Sequence, residues 1–215
     1  MDTRLRWTGW LGLAAAGVYV AATAAGSFLD PGYSQIRQHV SDLTAEGAPT
    51  WAALVGPYVA YNLLIVAFAA GLYVTSPRGW LWRVGIALLL LNALAGLGMV
   101  TWFREDLGGV PTTTAGTIHV VLAGISSLSI VVGSIAFGFA FRTSTIWRPL
   151  ARFSFAVAIG FLFLGPLAAI ATAAGSELAG LAERGPIGLF VGWLVIVGGF
   201  ALEGRQDQRD QLAPT

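Results

Sequence analysis

The chain has 215 residues, of which 56% are hydrophobic and 11% are charged, and its mean hydropathy is +0.73. A soluble domain of this size cannot hide so much apolar surface, so the composition excludes a water-soluble globular protein. The formal net charge of +1 argues against a nucleic-acid partner, because such proteins need concentrated basic surface. Cysteine is absent, which excludes disulfides, thiolate metal ligands and cysteine nucleophiles.

Six apolar stretches are long enough to cross a bilayer, which needs about 20 helical residues. They cover residues 7–29, 51–74, 80–103, 117–141, 150–174 and 186–202. They are apolar all round rather than alternating, so they predict helices and not barrel strands. We therefore expect an all-α, polytopic bundle of six transmembrane helices that forms one domain over residues 1–202, followed by a polar cytoplasmic tail at 203–215.

The start of the chain has a second interpretation. Arg4 and Arg6 precede an apolar run that contains Ala22-Thr23-Ala24, and this pattern imitates a cleavable signal peptide. The run is about 23 residues long, however, whereas the apolar part of a signal peptide usually has about 7–15. We therefore expect this segment to be the first transmembrane helix.

Arginine supplies all the basic charge and is distributed unevenly between the two sides of the predicted bundle. Nine of the 12 arginines fall on the side that holds both termini. These nine are Arg4, Arg6, Arg78, Arg83, Arg142, Arg148, Arg152, Arg205 and Arg209. The positive-inside rule then makes both termini cytoplasmic and predicts an integral, multi-pass protein of the plasma membrane.

The tryptophans give a separate indication of the span boundaries. All but Trp193 lie near the ends of predicted spans, as an interfacial belt requires. The belt residues are Trp7, Trp10, Trp51, Trp80, Trp82, Trp102 and Trp147.

Two spans carry small residues at four-residue spacing. Gly17, Ala21 and Ala25 do so in the first span, and Gly188 and Gly192 in the last. Such smooth faces allow helices to approach closely. We expect them to pack inside one bundle, and a homo-oligomer interface is the alternative.

The first outer loop, residues 30–50, has a helical pattern after Pro31-Gly32. Apolar residues recur at helical spacing with polar residues between them, so we expect a short amphipathic helix over 33–43 in the outer interface. The apolar positions are Tyr33, Ile36, Val40 and Leu43. On this helix Gln35, His39 and Asp42 would share one face.

Three short motifs resemble the six-span membrane proteins that share domain of unknown function 998. They are Tyr33-Ser34…Val40-Ser41-Asp42-Leu43 before the second span, Phe103…Asp106 after the third, and Gly116…His119 entering the fourth. In the family the second motif tends to read Phe-Pro…Asp, and Arg104 replaces that proline here. A fainter similarity is to the Frag1/DRAM/Sfk1 group, whose members are associated with lipid remodelling and membrane trafficking. The resemblance implies no established activity, but it points to Ser41, Asp42, Asp106 and His119 as motif positions.

Both histidines and five of the seven outer acids fall in the two long outer loops or in the helix turn that follows. Three chemistries fit this grouping. A divalent metal such as zinc would use His119, a carboxylate of Asp42 or Asp106, and either His39 or water, and the metal would activate a bound water. A metal-free site would use Ser41 as nucleophile and His119 as base, oriented by Asp106 or Asp42. A purely structural role would have Ser41 and Asp42 cap backbone groups, with His119 bonded to them.

The distribution of polar residues also bears on function. The predicted spans have no charge near the bilayer midplane, so an ion-coupled transporter is the least favoured class. Pro57 and Pro166 lie in the outer halves of their spans and would bend the helices, opening a cavity that a lipid can enter sideways. We therefore expect a protein whose partners are membrane lipids, either a lipid-acting hydrolase or transferase, or a lipid-binding or membrane-assembly protein without turnover.

Overall fold

The computed structural model describes residues 3–75, 79–145 and 147–203. Six long helices are present and no strand occurs in these ranges, so the prediction of an all-α bundle of six membrane-spanning helices is confirmed. The helices are α1 (Thr3–Leu29), α2 (Trp51–Thr75), α3 (Trp80–Thr101), α4 (Thr114–Arg142), α5 (Leu150–Ala173) and α6 (Ala179–Glu203). The predicted tail beyond residue 203, together with Arg78, Arg205 and Arg209, lies outside the described residues.

The helices form a closed ring. Each helix packs against its neighbours in the chain, and α6 also packs against α1. A side chain on Gly9 would collide with the Gly198 carbonyl oxygen at 2.6 Å, so α1 and α6 approach closely where both residues are glycine. The ring has a loop end, which carries residues 30–50, 102–113 and 174–178, and a terminal end, where α1 begins and α6 ends.

Aromatic side chains fill the terminal end of the ring. Trp82 of α3 packs edge-on against Phe137 and Phe141 of α4, with ring centroids 6.0 and 5.2 Å away. Trp147 stacks on Phe141 at 5.5 Å. Trp82 and Trp147 are only 3% and 4% exposed, so the prediction that they belong to the interfacial belt is wrong. They lie near span ends as expected, but on the faces that point into the bundle.

The glycines of the two predicted small-residue faces do not pack inside the bundle, although Ala25 of the first face does. A side chain added at Gly17, Gly188 or Gly192 would meet no atom within 4 Å. The close contacts of α1 with α6 lie instead at Gly9, Gly12 and Gly198, which are on a different face of each helix. Helical spacing finds a smooth face but does not say which way that face points.

Residues 33–43 do not form the predicted amphipathic helix. The segment consists of turns followed by a short 3-10 helix at Ser41–Thr44. Its polar side chains bind its own backbone: Gln38 Oε1 accepts the Ser34 N–H at 2.7 Å, and Asp42 Oδ2 accepts the His39 N–H at 2.9 Å. Such local bonds replace the helical ladder. The segment is not an interfacial helix, because Tyr33, Val40 and Leu43 are buried against the bundle.

The last helix begins at Ala179, seven residues before the predicted start at Pro186. Loop carbonyls explain the longer helix: the Leu181 N–H donates to Ile36 O at 2.9 Å, and the Gly180 N–H to Arg37 O at 3.3 Å. These bonds satisfy N–H groups that a helix start leaves free. As a consequence Glu183, predicted to lie in an outer loop, is part of α6.

Candidate functional site

The first loop is fastened to α6 by a carboxylate and a guanidinium. Glu183 Oε2 accepts the Val40 N–H at 2.5 Å, and Glu183 Oε1 accepts the Ser41 hydroxyl at 3.2 Å. Arg184 Nη1 donates to the Gln38 carbonyl oxygen at 2.9 Å. Both charged residues stand in the second turn of α6, so one helix end holds Gln38, Val40 and Ser41 of the loop.

Tyr33 connects Arg184 to His39. The Tyr33 hydroxyl donates to the His39 carbonyl oxygen at 2.8 Å and accepts a hydrogen bond from Arg184 Nη2. The guanidinium also lies 5.7 Å from the centre of the Tyr33 ring. Burial raises the pKa of Tyr33 to about 12, although the charge of Arg184 opposes the shift, so the phenol stays protonated and keeps its bond to His39.

The second loop binds the first through Asp42. Asp42 Oδ1 accepts the Gly108 N–H at 2.8 Å, and the Glu46 N–H donates to the Glu105 carbonyl oxygen at 2.9 Å. Gly109 has a φ of +76° and packs so closely on the His39 ring that any side chain there would collide with it. A residue with left-handed backbone and no Cβ is therefore required at this contact.

Three titratable side chains meet where the two loops touch. His39, Asp42 and Glu105 are 6%, 5% and 8% exposed, and one side-chain N or O atom of each lies within 4.8 Å of the others. We call these residues the loop cluster. His39 Nδ1 is 3.6 Å from Asp42 Oδ2, which is longer than a hydrogen bond. This arrangement is typical of residues that share a proton or a cation.

The members of the loop cluster have shifted pKa values. The Asp42 carboxylate raises the pKa of His39, and burial opposes this shift. Burial would raise the pKa of Asp42, but His39 and the N–H groups of Gly108 and His39 lower it overall. Burial, reinforced by the charge of Glu183, raises the pKa of Glu105 to about 8. Asp42 is therefore the fixed negative charge, and burial favours the protonated form of Glu105.

Asp106, the neighbour of Glu105, has a structural role in the turn before α4. Its Oδ2 accepts the N–H groups of Thr112 and Thr113 at 2.6 and 2.8 Å, and its Oδ1 accepts the Thr113 hydroxyl at 2.9 Å. Thr113 in turn caps α4 by accepting the Gly116 N–H at 3.0 Å. The backbone bonds from Thr112 and Thr113 lower the pKa of Asp106. The Asp106 carboxylate therefore stabilises the turn that begins α4.

His119 lies apart from the loop cluster. Its Nδ1 is 2.8 Å from the Phe103 carbonyl oxygen, and because a carbonyl only accepts, Nδ1 carries the hydrogen. Nε2 is then a bare acceptor, and no hydrogen bond from the described residues reaches it. The predicted contact of Asp42 with His119 is not made, since the bonds of Asp42 run to His39 and Gly108.

A cavity of about 650 Å³ occupies the loop end of the ring. Its polar end contains Ser41, Thr44, His119 and Glu183, and its deeper part is also lined by four uncharged polar residues, Asn62, Asn92, Ser126 and Ser127. Its walls are mostly apolar and extend along α4 from His119 to Val131, which is about 18 Å at 1.5 Å per residue. The floor lies at Phe190, whose ring is stacked 6.3 Å from that of Trp193.

The exposed part of the cavity wall belongs to α4 and α5. The wall residues that are themselves exposed are Val120, Gly124, Leu128, Leu162, Pro166 and Ala169. They form one row on each helix, and close contacts between the two helices lie toward the terminal end, at Gly138 and Phe155. The cavity is thus accessible from the side, beside the proline predicted to open the fifth span.

The structure divides the predicted site residues into three places. His39 and Asp42 come together, Ser41 and His119 both line the cavity, and Asp106 belongs to the cap of α4. Sequence reasoning did not single out Glu105 or Glu183 among the outer acids. The only available signal for Glu105 was its position next to the motif acid Asp106, since nothing local shows which of two adjacent carboxylates turns inward.

Comparison with known proteins identifies one family. A family model described as "Protein of unknown function (DUF998)" matches residues 13–199, a range that begins within α1 and ends within α6. No curated protein and no solved structure matches the chain. The fainter similarity to the Frag1/DRAM/Sfk1 group stays a prediction.

Proposed function

Because the chain belongs to the DUF998 family and is an integral multi-pass membrane protein, we propose that it takes a membrane lipid into its cavity and acts on it by hydrolysis or transfer. One observation carries the proposal: polar, titratable groups and an apolar wall belong to the same cavity. An amphiphile has the same division between a polar and an apolar part. We further propose that the loop end faces outward from the plasma membrane, as the arginine distribution predicts.

The dimensions of the cavity suit a lipid chain. A depth of about 18 Å along α4 is a little more than half of the roughly 30 Å hydrocarbon core, so the cavity would reach about as deep as one leaflet. Its volume of about 650 Å³ falls in the range of about 300–1,000 Å³ found for ligand sites. The exposed rows on α4 and α5 would let an acyl chain enter from the bilayer without crossing the loops.

The polar end offers a general base and a hydrogen-bond donor. His119 Nε2 can take a proton from water while the water oxygen bonds to the carbonyl carbon or phosphorus of an ester. The ester bond to the alcohol then breaks, and the alcohol oxygen receives the proton. Ser41 donates to Glu183 and not to a histidine, so we assign Ser41 to positioning the substrate rather than to nucleophilic attack.

A second role uses the same cavity without turnover. The Ser41 hydroxyl donates to the Glu183 carboxylate and not to a histidine, which favours a site that holds a polar group over one poised for attack. The protein would then bind a lipid for membrane assembly. The two roles differ only in whether bound lipid is converted.

Glycines in the cavity wall allow a direct test of lipid binding. Gly124 and Gly165 line the cavity, and a side chain at either would meet no atom within 4 Å. We expect Gly124→Leu and Gly165→Leu to fill the cavity and lower lipid occupancy about tenfold. Occupancy is measured by native mass spectrometry of protein released from nanodiscs of phosphatidylethanolamine and phosphatidylglycerol. Gly17→Leu, at an equally open position outside the cavity, is the matched control. Equal occupancy in all variants would exclude the cavity as the lipid site.

Turnover is tested with the same lipids in vesicles. Purified protein is incubated with them and products are followed by mass spectrometry, and we expect His119→Ala to slow conversion about 100-fold or more, the usual contribution of a general base. Unchanged conversion by this variant would contradict the role of His119. Bound lipid without any conversion by the wild-type protein would leave the binding role in place of the enzymatic one.

A further inference from the structure

Two atoms of the loop cluster are buried without partners. His39 Nδ1 and Glu105 Oε2 are inaccessible to solvent, and no described residue gives either a hydrogen bond. A buried polar atom left unpaired costs about 1–3 kcal/mol. Both atoms belong to residues that are more than nine-tenths buried and meet at one point, so a ligand that accepts electron pairs from both would remove the cost at once.

The hydrogen bonds around His39 leave its inner nitrogen free to bind a cation. The Thr172 hydroxyl donates to the Ala168 carbonyl oxygen at 3.0 Å, and it therefore accepts from His39 Nε2, 2.8 Å away. With the hydrogen on Nε2, Nδ1 carries a free lone pair, and it lies 3.6 Å from Asp42 Oδ2 in the cluster that also contains Glu105. A histidine whose outer N–H is fixed by a neighbouring oxygen is the usual arrangement of a metal ligand.

The charges at this end of the molecule also favour a cation. Asp42 and Glu105 lie in the cluster, and Glu183 acts on both His39 and Glu105 electrostatically. The guanidinium of Arg184 offsets only one of these three carboxylates. Buried carboxylates in excess of their cations are normally protonated or bound to a metal.

We propose that His39 Nδ1 and the carboxylates of Asp42 and Glu105 bind one divalent transition-metal ion, for which Zn²⁺ is the appropriate probe. One imidazole and two carboxylates form a ligand set suited to such an ion. Three protein ligands leave a fourth position for water. The ion joins the two long loops, and it differs from the predicted zinc site in using Glu105 where the sequence pointed to His119 or Asp106.

The proposed metal site stands apart from the proposed lipid function. None of its three ligands lines the cavity, although Ser41 and Glu183 do and lie beside it. A failure of zinc binding would therefore leave the Gly124→Leu experiment unaffected, and loss of lipid in Gly124→Leu should leave zinc binding intact.

The test uses the full chain in detergent, stripped of metal with a chelator and titrated with Zn²⁺. We expect one zinc per chain by elemental analysis and a rise in Tm on zinc addition. Glu105→Gln keeps the shape of the side chain and removes its charge, and it breaks no hydrogen bond at Oε2 because that atom makes none. We expect this variant to bind zinc about 100-fold more weakly. Glu177→Gln is the matched control, because Glu177 is an exposed acid of the α5–α6 connection paired with Arg37.

A second measurement uses wild-type protein only and so does not depend on how a variant folds. Co²⁺ in place of zinc should give visible absorption bands characteristic of imidazole and carboxylate ligands, and excess Zn²⁺ should remove them. Absence of zinc and cobalt binding by the stripped wild-type protein would overturn the proposal. Glu105→Gln binding zinc as tightly as the wild-type protein would also overturn it.

Discussion

From the middle of the helices to the terminal end five large aromatic side chains fill the ring, whereas at the loop end the ring encloses a cavity of about 650 Å³. The aromatic residues are Trp82, Phe137, Phe141, Trp147 and Trp193. The loop end is held instead by hydrogen bonds between residues far apart in the chain, such as Val40 with Glu183 and His39 with Thr172. Packing thus closes one end of the bundle, and polar contacts position groups around an opening at the other.

The orientation of the two ends is the first point to test, and the expected effect is all-or-none. The chain lacks cysteine, so single cysteines report without background. We expect a membrane-impermeant thiol reagent to label Val110→Cys, which is 54% exposed at the loop end, in intact cells. Thr145→Cys, exposed at the terminal end, should be labelled only after permeabilisation. The reverse pattern would put the open end in the cytoplasm.

The packed end should be the main source of stability. Trp193 is 2% exposed, packs on Phe137 at 5.1 Å and donates to the Ser154 hydroxyl at 3.0 Å. Trp193→Ala should lower the free energy of unfolding by about 3–5 kcal/mol, as measured by denaturant titration in detergent. Leu162→Ala, on the exposed wall of the cavity, is the control and should cost less than about 1 kcal/mol. Similar losses in the two variants would remove the distinction between the ends.

Single polar residues at the loop end should contribute less to the free energy of unfolding than Trp193 does. Arg184→Ala removes charged hydrogen bonds to Tyr33 and to the Gln38 carbonyl and should cost about 1.5–3 kcal/mol. It should also speed proteolysis of the first loop. Arg37→Ala breaks only the exposed ion pair with Glu177 and should cost about 1 kcal/mol or less. If Arg37→Ala speeds proteolysis of the first loop as much as Arg184→Ala does, Arg184 is not what holds this loop on α6.

The sequence predicted the spans well because long apolar runs report directly on helices in a bilayer. It could not distinguish a side chain that faces lipid from one that faces another helix, since both surroundings are apolar. For that reason position near a span end predicts the interface for Trp82 and Trp147, and small-residue spacing predicts packing in the bundle for Gly17. The early start of α6 also escaped prediction, because the groups that complete it are carbonyls of Ile36 and Arg37.

The candidate site was predictable only in part for a related reason. His39 and Asp42 are three residues apart, so a single turn of any kind brings them together. Glu105 joins them through a loop whose shape depends on Gly108 and Gly109, both at positive φ. Long-range pairing of this kind has no signature in hydropathy or spacing, and the motif acid Asp106 is used for capping instead.

The anchoring of the first loop on α6 has a consequence for how the protein is made. Val40 and Glu183 are 143 residues apart, and Tyr33 and Arg184 are 151 apart. Since a chain emerges from the ribosome amino terminus first, the first loop reaches its side of the membrane well before α6 exists. Until α6 inserts and closes the ring against α1, the loop lacks the partners that fix Tyr33 and Val40. The end of the molecule that we expect to act is therefore the last to be assembled, and a nascent chain interrupted before α6 would display a membrane-inserted but unformed site.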